Sequence, residues 1–366
     1  MILMNDFKSE PDEIRAAMLR ASKRVLDSGW YVLGKEVENF EALWAERCGV
    51  SYGVGVGNGM DAIEIALRAL DIGPGDEVVT TSMTAFATAL AIVRAGAQPV
   101  LADIDPDTAL LSIESVRRCI STQTKAVILV HLYGQIRDMD AWSRLCDEHN
   151  IVLIEDCAQA HLARLGGRVA GSYGRAGAYS FYPTKNLGAP GDGGMLVTSE
   201  KSIAEKSARL RNYGQSVRYQ HPELGMNSRL DEIHAAILTE RLTWLEEFTQ
   251  RRREIAGAYR NGIQNPSVKM LSSPQEPAAH VYHLFVVTCE ARAQLQAHLH
   301  QNDVQALIHY PIPIHHQEPS TEWRRDPQGL ANSDRHADIC LSLPCHPQMT
   351  NADIDAVIDA VNTFTG

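Results

Sequence analysis

The sequence predicts an α/β fold with a mainly parallel sheet covered by helices, followed by a smaller α+β part. First, apolar runs typical of buried strands alternate with helical segments between about residues 50 and 200. Second, turn signals such as Gly73-Pro74-Gly75-Asp76 separate these segments. Third, the alternation stops after about residue 235, which predicts a large domain over 1–240 and a small C-terminal domain over 241–366.

The elements of the large domain are predicted in alternating order. The first clear helix begins near Asn58, because apolar residues recur every three or four positions from Met60 to Leu70. The following elements are strand 77–82, helix 84–95, strand 98–103, strand 126–130, helix 138–149 and strand 151–156. Asp103, His131 and Asp156 fall at strand ends, where the sites of parallel sheets collect.

The C-terminal part is predicted to begin with one long charged helix over 238–259. The run Arg251-Arg252-Arg253 in this helix is expected to be a solvated face. A strand over 281–288, another helix and a Pro/His-rich segment over 309–316 follow. This pattern favours an α+β arrangement for the smaller domain.

Composition excludes several classes of partner. The 366 residues include 34 Lys and Arg against 45 Asp and Glu, a net charge of −11, which disfavours nucleic acids and anionic membranes. Any phosphate ligand must then be bound locally by oriented amides and a few side chains. The seven scattered cysteines predict reduced thiols, and neither a signal peptide nor a membrane span is evident, so a cytoplasmic protein is expected.

The stretch with the most chemistry is residues 180–194, which contains Lys185 beside a cluster of glycines. A lysine in such a loop is on its own most often a solvated side chain. Here it follows a strand-like run with aromatic residues, and Asp156 ends an apolar strand 29 positions earlier. Pyridoxal phosphate (PLP) chemistry needs this pair: a lysine to hold the aldehyde and a carboxylate to keep the pyridine nitrogen protonated.

Two motifs, 155–161 (EDCAQAH) and 180–188 (SFYPTKNLG), resemble the DegT–DnrJ–StrS family of sugar aminotransferases. Further matching segments lie at 29–41, 225–232 and 309–315, so the resemblance covers nearly the whole chain. It implies the fold-type-I architecture of aspartate aminotransferase, PLP with a pyridoxamine phosphate (PMP) form, and a homodimer with shared active sites.

The resemblance also implies roles for individual residues. Lys185 is the Schiff-base lysine and the base that moves the substrate proton, Asp156 pairs with the pyridine nitrogen, and Gln159 binds the ring hydroxyl. The phosphate is expected at the amides of Gly59 and Met60, which open a helix, and at the Ser180 hydroxyl. A further phosphate ligand, Asn227, is expected from the neighbouring subunit.

The chain departs from its relatives at two places in the cofactor site. Asn58-Gly59-Met60 replaces the more usual Ser-Gly-Thr, and the form Asn-Gly-x-Asp resembles the branch that acts at the sugar C3 carbon. Where relatives often carry an aromatic residue that stacks on PLP, this chain has Ala85-Phe86; either Phe86 or a smaller residue covers the ring. The residues expected at the substrate are Tyr31, Tyr213, Arg229, His309, Tyr310 and His315.

The function predicted from the sequence is ping-pong transamination from L-glutamate to a nucleotide-linked keto sugar, with a dTDP-3-keto-6-deoxyhexose as the expected acceptor. A 4-keto-6-deoxyhexose aminotransferase is the nearest alternative, since it performs the same chemistry on an adjacent carbon. A PLP-dependent sugar dehydratase is disfavoured, because that branch replaces the lysine found here as Lys185 by histidine. A non-catalytic PLP-binding regulator is the alternative from another class.

Overall fold

The computed structural model describes residues 1–366. The α-helices are α1 Asp12–Ser28, α2 Lys35–Cys48, α3 Gly59–Ala69, α4 Phe86–Arg94, α5 Ile113–Cys119, α6 Met139–His149, α7 Lys201–Leu210, α8 Glu232–Leu242, α9 Leu245–Gly262, α10 Arg292–Gln301, α11 Ala331–Ile339 and α12 Asn351–Asn362. The strands are β1 Tyr52–Val56, β2 Glu77–Thr81, β3 Gln98–Ala102, β4 Thr124–Val130, β5 Val152–Asp156, β6 Arg164–Leu165, β7 Arg168–Val169, β8 Ala176–Ser180, β9 Gly194–Thr198, β10 Lys269–Met270, β11 Phe285–Thr288 and β12 Cys340–Leu343.

A seven-stranded sheet organises the first 200 residues, in the spatial order β1-β9-β8-β5-β4-β2-β3. The neighbouring strands β3, β2, β4, β5 and β8 pair in parallel, and β9 runs antiparallel to both of its neighbours, β8 and β1. The predicted α/β class with a mainly parallel, helix-covered sheet is therefore confirmed. Each predicted element between Asn58 and Asp156 is present, with ends that differ by at most two residues.

Both faces of this sheet are buried, which explains why its strands are continuously apolar. In β4, Val127 and Leu129 belong to one core cluster, whereas Ala126 and Ile128 belong to a second cluster on the other face. Such alternation follows from the period of two of a β-strand. Helix α3 contributes to the second cluster, which also contains strand residues of β5, β8 and β9.

The C-terminal part corrects two predictions. The single helix over 238–259 is wrong, because the chain breaks at Thr243-Trp244 and forms α8 and α9 instead. The solvated arginine face is also wrong for Arg252, which is buried and donates to the backbone oxygen of Tyr282 at 3.2 Å and to that of Cys345. The guanidinium is buried because carbonyl groups from two later loops accept its hydrogen bonds. The spacing of residues within the helix does not indicate that these loops pack against it.

A three-stranded antiparallel sheet, β10-β11-β12, and a separate apolar core characterise the C-terminal part. Within it, β11 is shorter than the predicted strand 281–288. Residues 324–333 return to the large sheet: Leu101 donates to the oxygen of Arg324 at 2.9 Å, and the amide of Ser333 donates to Asp103 at 2.8 Å. The two parts are thus hydrogen-bonded to each other, and the division at residue 240 stays a prediction.

All seven cysteines are buried free thiols, as the scattered spacing predicts. Each helix falls short of the length and apolar character that crossing a membrane requires.

Glu155 anchors the strand that carries Asp156. Its buried carboxylate accepts hydrogen bonds from His131 Nε2 at 2.8 Å and from the amides of Gly171 at 2.8 Å, Tyr173 at 2.7 Å and Gly174 at 2.8 Å. Burial raises the pKa of this carboxyl, but the bond from His131 and the backbone amides outweigh burial, so the pKa is lowered overall. Glu155 therefore joins β4, β5 and the loop that leads into β8.

We expect Glu155→Gln to destabilise the protein by about 3 kcal/mol, because an amide lacks the charge and one of the two acceptor oxygens. The lowered pKa means that the contribution of Glu155 is present above the unfolded-state value of about 4.5 and disappears as the pH falls below it. Urea unfolding at pH 7 and pH 4 measures both effects. Glu200→Gln, which removes a surface partner of Arg175, is the control and should cost no more than about 1 kcal/mol. Equal losses for the two variants at pH 7 would contradict the role assigned to Glu155.

Candidate active site

Lys185 lies in the loop between β8 and β9, with an amine that makes no hydrogen bond within the chain. Its amide donates to the oxygen of Tyr182 at 2.9 Å, which closes a turn around the lysine. Gly188 supports this turn, because a Cβ there would lie 2.4 Å from the oxygen of Pro183. Burial lowers the pKa of Lys185 to about 8, against the opposing effect of the Asp156 carboxylate. About one tenth of the amine is therefore neutral at pH 7, far more than for an ordinary lysine.

Asp156 ends β5 and is buried beside β8. Its Oδ2 accepts from the Thr88 hydroxyl at 2.8 Å, and its Oδ1 accepts from the amide of Ala158 at 3.1 Å. A hydroxyl and an amide orient this carboxylate without neutralising it. A buried carboxylate of this kind can stabilise a positive charge that enters the pocket, such as a protonated ring nitrogen.

The start of α3 presents two unpaired backbone amides. The Asn58 side chain accepts from the amide of Asp61 at 2.9 Å, and the Asn58 oxygen accepts from Ala62 at 3.2 Å, which leaves the amides of Gly59 and Met60 unpaired. Ser180 packs directly on this turn, because a Cβ on Gly59 would lie 2.7 Å from the Ser180 Cβ. Two free amides, a helix dipole and a hydroxyl are thus brought together, as binding of a phosphate requires.

Asn227 lies in a segment fastened to the same helix start. The neighbouring Ser228 hydroxyl donates to Asp61 Oδ2 at 2.6 Å and accepts from the amide of Gly57 at 2.9 Å. The Asn227 side chain itself is exposed and makes no hydrogen bond within the chain. It is therefore free to reach a second copy of the protein.

Gln159 and Tyr310 meet although 151 positions separate them: Gln159 Nε2 donates to Tyr310 Oη at 3.1 Å. Burial raises the pKa of Tyr310 to about 12, to which the nearby Asp156 also contributes. His309 precedes Tyr310, and burial lowers the pKa of His309 to about 4. The structure thus places the His309-Tyr310 pair beside the predicted cofactor residues.

Other predicted site residues make their contacts elsewhere. Phe86 stacks on Trp323, with ring centroids 6.0 Å apart, and its role at the cofactor ring stays a prediction. His315 is buried and bonds Asp334 through Nε2 at 2.7 Å. Neither residue contacts Lys185 or Asp156, so the structure does not join them to the cluster described above.

Tyr31 and Tyr213 are exposed, and Arg229 is half-buried. The Arg229 guanidinium lies over the Tyr213 ring at 5.5 Å from its centroid and donates to Asn212 Oδ1 at 3.3 Å. A bridge between Val32 and Asp231 brings the segment of Tyr31 next to that of Arg229. These three residues therefore lie on neighbouring segments of the chain.

Sequence reasoning missed Thr88, His161 and His283. His161 lies in the motif 155–161, but the motif alone does not indicate its contacts. Burial lowers the pKa of His161 to about 3, and its Nε2 donates to the Ser180 oxygen at 2.8 Å. His283 Nδ1 lies 3.1 Å from Asn186 Oδ1, directly beside Lys185 in the chain. Nothing in the sequence around Thr88 or His283 marks them, because they reach the site from other elements.

The donor set fits PLP. Two unpaired amides and the Ser180 hydroxyl suit its phosphate, the Asp156 carboxylate suits its ring nitrogen, and the Lys185 amine suits its aldehyde. The groups come from the start of α3, the end of β5, the end of β8 and the loop after β8.

Comparisons with known proteins agree with this geometry. The model described as the DegT/DnrJ/EryC1/StrS aminotransferase family matches residues 12–362. A transaminase of Aneurinibacillus thermoaerophilus named for dTDP-3-amino-3,6-dideoxy-alpha-D-galactopyranose is 44% identical over 345 residues, covering 94% of each chain. The S. venezuelae DesV crystal structure, in complex with a ketimine intermediate, is 41% identical with a TM-score of 0.95, covering 99% of this chain and 97% of that one. Bacillus subtilis NtdA, solved with bound PMP, is 27% identical with a TM-score of 0.88 and covers 96% and 82%.

We expect the rate at which PLP binds to cofactor-free protein to rise with pH and to level off above about pH 8, because only neutral Lys185 attacks an aldehyde. The growth of the visible absorbance between pH 6 and 10 measures this rate. Asp156→Asn should move the midpoint to lower pH, since the carboxylate raises the pKa of Lys185. Asp192→Asn, an exposed carboxylate on the same loop, is the control and should leave the midpoint in place. A midpoint above pH 10 in the wild-type protein would contradict the burial argument.

Proposed function

Because the chain belongs to the DegT/DnrJ/EryC1/StrS aminotransferase family, we propose that it transfers the amino group of L-glutamate to C3 of a dTDP-linked 3-keto-6-deoxyhexose. Family membership and the PLP cofactor predicted from the sequence are confirmed, and the chain is a PLP-dependent nucleotide-sugar aminotransferase. The observation that carries the proposal is the cluster of Lys185, Asp156 and the open start of α3. The choice of C3 is supported by Asn58-Gly59-Met60-Asp61 and by the name of the A. thermoaerophilus relative.

The residues divide the chemistry between them. When bound, PLP supplies an electron sink and carries the amino group between the two substrates. Lys185 Nζ, with its lowered pKa, would accept a proton from the carbon that bears the amino group and release it on the cofactor side within the same half-reaction. With the keto sugar it would move the proton in the reverse direction. The Asp156 carboxylate, oriented by the Thr88 hydroxyl, would pair with the ring nitrogen.

The sugar nucleotide is expected to span two regions. His309 and Tyr310 lie beside Gln159 and are suited to hydrogen-bond the hexose. Tyr310 keeps its proton at physiological pH, so its hydroxyl can donate to a sugar oxygen. Tyr31, Tyr213 and Arg229 offer aromatic rings and a guanidinium for the nucleoside diphosphate. Because the protein has a net charge of −11, its overall field does not attract an anionic nucleotide, and individual side chains must bind it locally.

A homodimer is part of the proposal. Trp30, Tyr219 and Leu224 are 62%, 78% and 89% exposed, and they lie on the segments that flank Tyr31 and Asn227. Exposed apolar side chains of this number on neighbouring segments are typical of an interface. A second copy that covers them would bring Asn227 of each subunit towards the phosphate site of the other.

Incubation with L-glutamate and a panel of dTDP-linked 3-keto and 4-keto 6-deoxyhexoses tests the substrate. We expect a 3-amino sugar, identified by mass spectrometry and by the NMR shift of H3, together with 2-oxoglutarate. Lys185→Ala should give neither product, whereas Lys201→Ala, an exposed lysine on α7, should keep full activity. Amination at C4 would support the alternative enzyme. Binding of PLP without its conversion by glutamate to the pyridoxamine form would support a non-catalytic regulator.

Subunit complementation tests the shared site. Lys185→Ala and Asn227→Ala should each be inactive or strongly impaired alone, but mixing them should restore about one quarter of wild-type activity. The reason is that half of the randomly reassembled dimers are mixed, and each mixed dimer contains one intact site. Activity of the reassembled mixture is compared with that of each variant treated alone. If Asn227 served its own chain, both sites of a mixed dimer would be damaged and activity would not return.

A further inference from the structure

Tyr133 connects the cofactor side of the pocket to the sugar side. We propose that it is a positioning residue, which holds Gln159 through its backbone and the His309-Tyr310 pair through its hydroxyl. The inference rests on the proposed function, because it gives Tyr133 a part in binding the keto sugar. Neither the motifs of the sequence nor the roles implied by the family resemblance single out this residue.

The backbone of Tyr133 orients Gln159. Tyr133 follows β4 closely, and its amide donates to Gln159 Oε1 at 2.6 Å. With the oxygen of the Gln159 amide fixed, the Nε2 group must point to the other side, where it donates to Tyr310 Oη at 3.1 Å. The direction of both Gln159 groups therefore depends on the position of the Tyr133 backbone.

The side chain of Tyr133 anchors the sugar-side segment. Its buried hydroxyl donates to the backbone oxygen of His309 at 2.6 Å and lies 2.9 Å from His336 Nε2. His309 is held a second time, since its Nδ1 lies 2.8 Å from the Ser342 hydroxyl. The carbonyl that Tyr133 binds belongs to the peptide group that joins His309 to Tyr310.

Together these contacts form a closed circuit. It runs from the Tyr133 backbone to Gln159, on to the Tyr310 hydroxyl, through the peptide group to His309, and back to the Tyr133 hydroxyl. Because Tyr310 Oη accepts from Gln159, its own proton stays available for a sugar oxygen. A closed circuit fixes the direction in which that proton points.

The conformation of Tyr133 supports a functional constraint. Its φ is +62°, in the left-handed region that bulky residues rarely adopt. Residues held in such conformations persist only where their surroundings impose them, and they cluster at functional sites. Here the pairing of the neighbouring Gly134 with Val281 at 3.0 Å, and of Tyr133 with Leu284 at 3.3 Å, imposes the turn.

Tyr133→Phe tests the role, since it removes the hydroxyl and keeps the backbone contact to Gln159. We expect KM for the dTDP-linked keto sugar to rise about tenfold, with a smaller change in kcat, because the anchor of a binding segment is lost. The conversion of bound PLP by glutamate, followed by absorbance in a single turnover, should stay within about twofold of wild type. Calorimetric binding of the dTDP-amino sugar product to the holoenzyme should weaken by a similar factor of about ten.

Tyr259→Phe is the matched control: Tyr259 is also fully buried, and its hydroxyl donates to the backbone oxygen of Pro344 at 2.7 Å, away from the pocket. It should leave KM and product binding unchanged. If Tyr133→Phe does not fold, as judged by its melting temperature and PLP content, His336→Asn removes only the second partner of the hydroxyl and should raise KM in the same direction.

The two proposals fail in different ways. Equal loss of both half-reactions in Tyr133→Phe, or values that match those of Tyr259→Phe, would overturn the positioning role while the substrate assignment stands. A wild-type enzyme that aminates only 4-keto sugars would overturn the choice of C3. Tyr133→Phe and Tyr259→Phe would then be compared with the 4-keto sugar as substrate. A wild-type enzyme that aminates no nucleotide sugar would overturn both.

Discussion

The active site is organised around one buried carboxyl group, that of Asp156. Removing such a group from water is costly unless hydrogen bonds or an opposite charge compensate. Thr88 and the amide of Ala158 supply hydrogen bonds but no charge, so the pocket retains a strong preference for a cation. The adjacent Glu155 accepts hydrogen bonds at both of its oxygens. These bonds fix the end of β5 and therefore the position of the Asp156 side chain.

The parallel sheet determines what surrounds that carboxylate. Since β5 and β8 run in parallel as neighbours, Asp156 and Ser180 emerge at the same edge, and the loop after β8 returns Lys185 to it. The start of α3 is brought to the same place by contact between Gly59 and Ser180. One edge of the sheet therefore brings together an amine, two unpaired backbone amides and a carboxyl group from three different elements.

The C-terminal part completes the pocket from the other side. It supplies His309 and Tyr310, which are tied to Gln159 and Tyr133, and His283, which is tied to Asn186. The same part is bonded to the strand end at Asp103 through α11. Because each of these hydrogen bonds joins segments that are distant in sequence, the positions of His309, Tyr310 and His283 depend on how the two parts of the chain pack together.

The sequence by itself determined the α/β class and the order of the elements between Asn58 and Asp156, because apolar periodicity carries that information. Its local motifs predicted the cofactor residues. It also predicted that Lys185 and Asp156 act at the same cofactor. Only the tertiary structure decided that Arg252 is buried, that Phe86 packs on Trp323, and that Tyr133 joins Gln159 to His309. The reason is physical: a local pattern records which face of an element is apolar, whereas the partner of a polar side chain is set by chain segments that are distant in sequence.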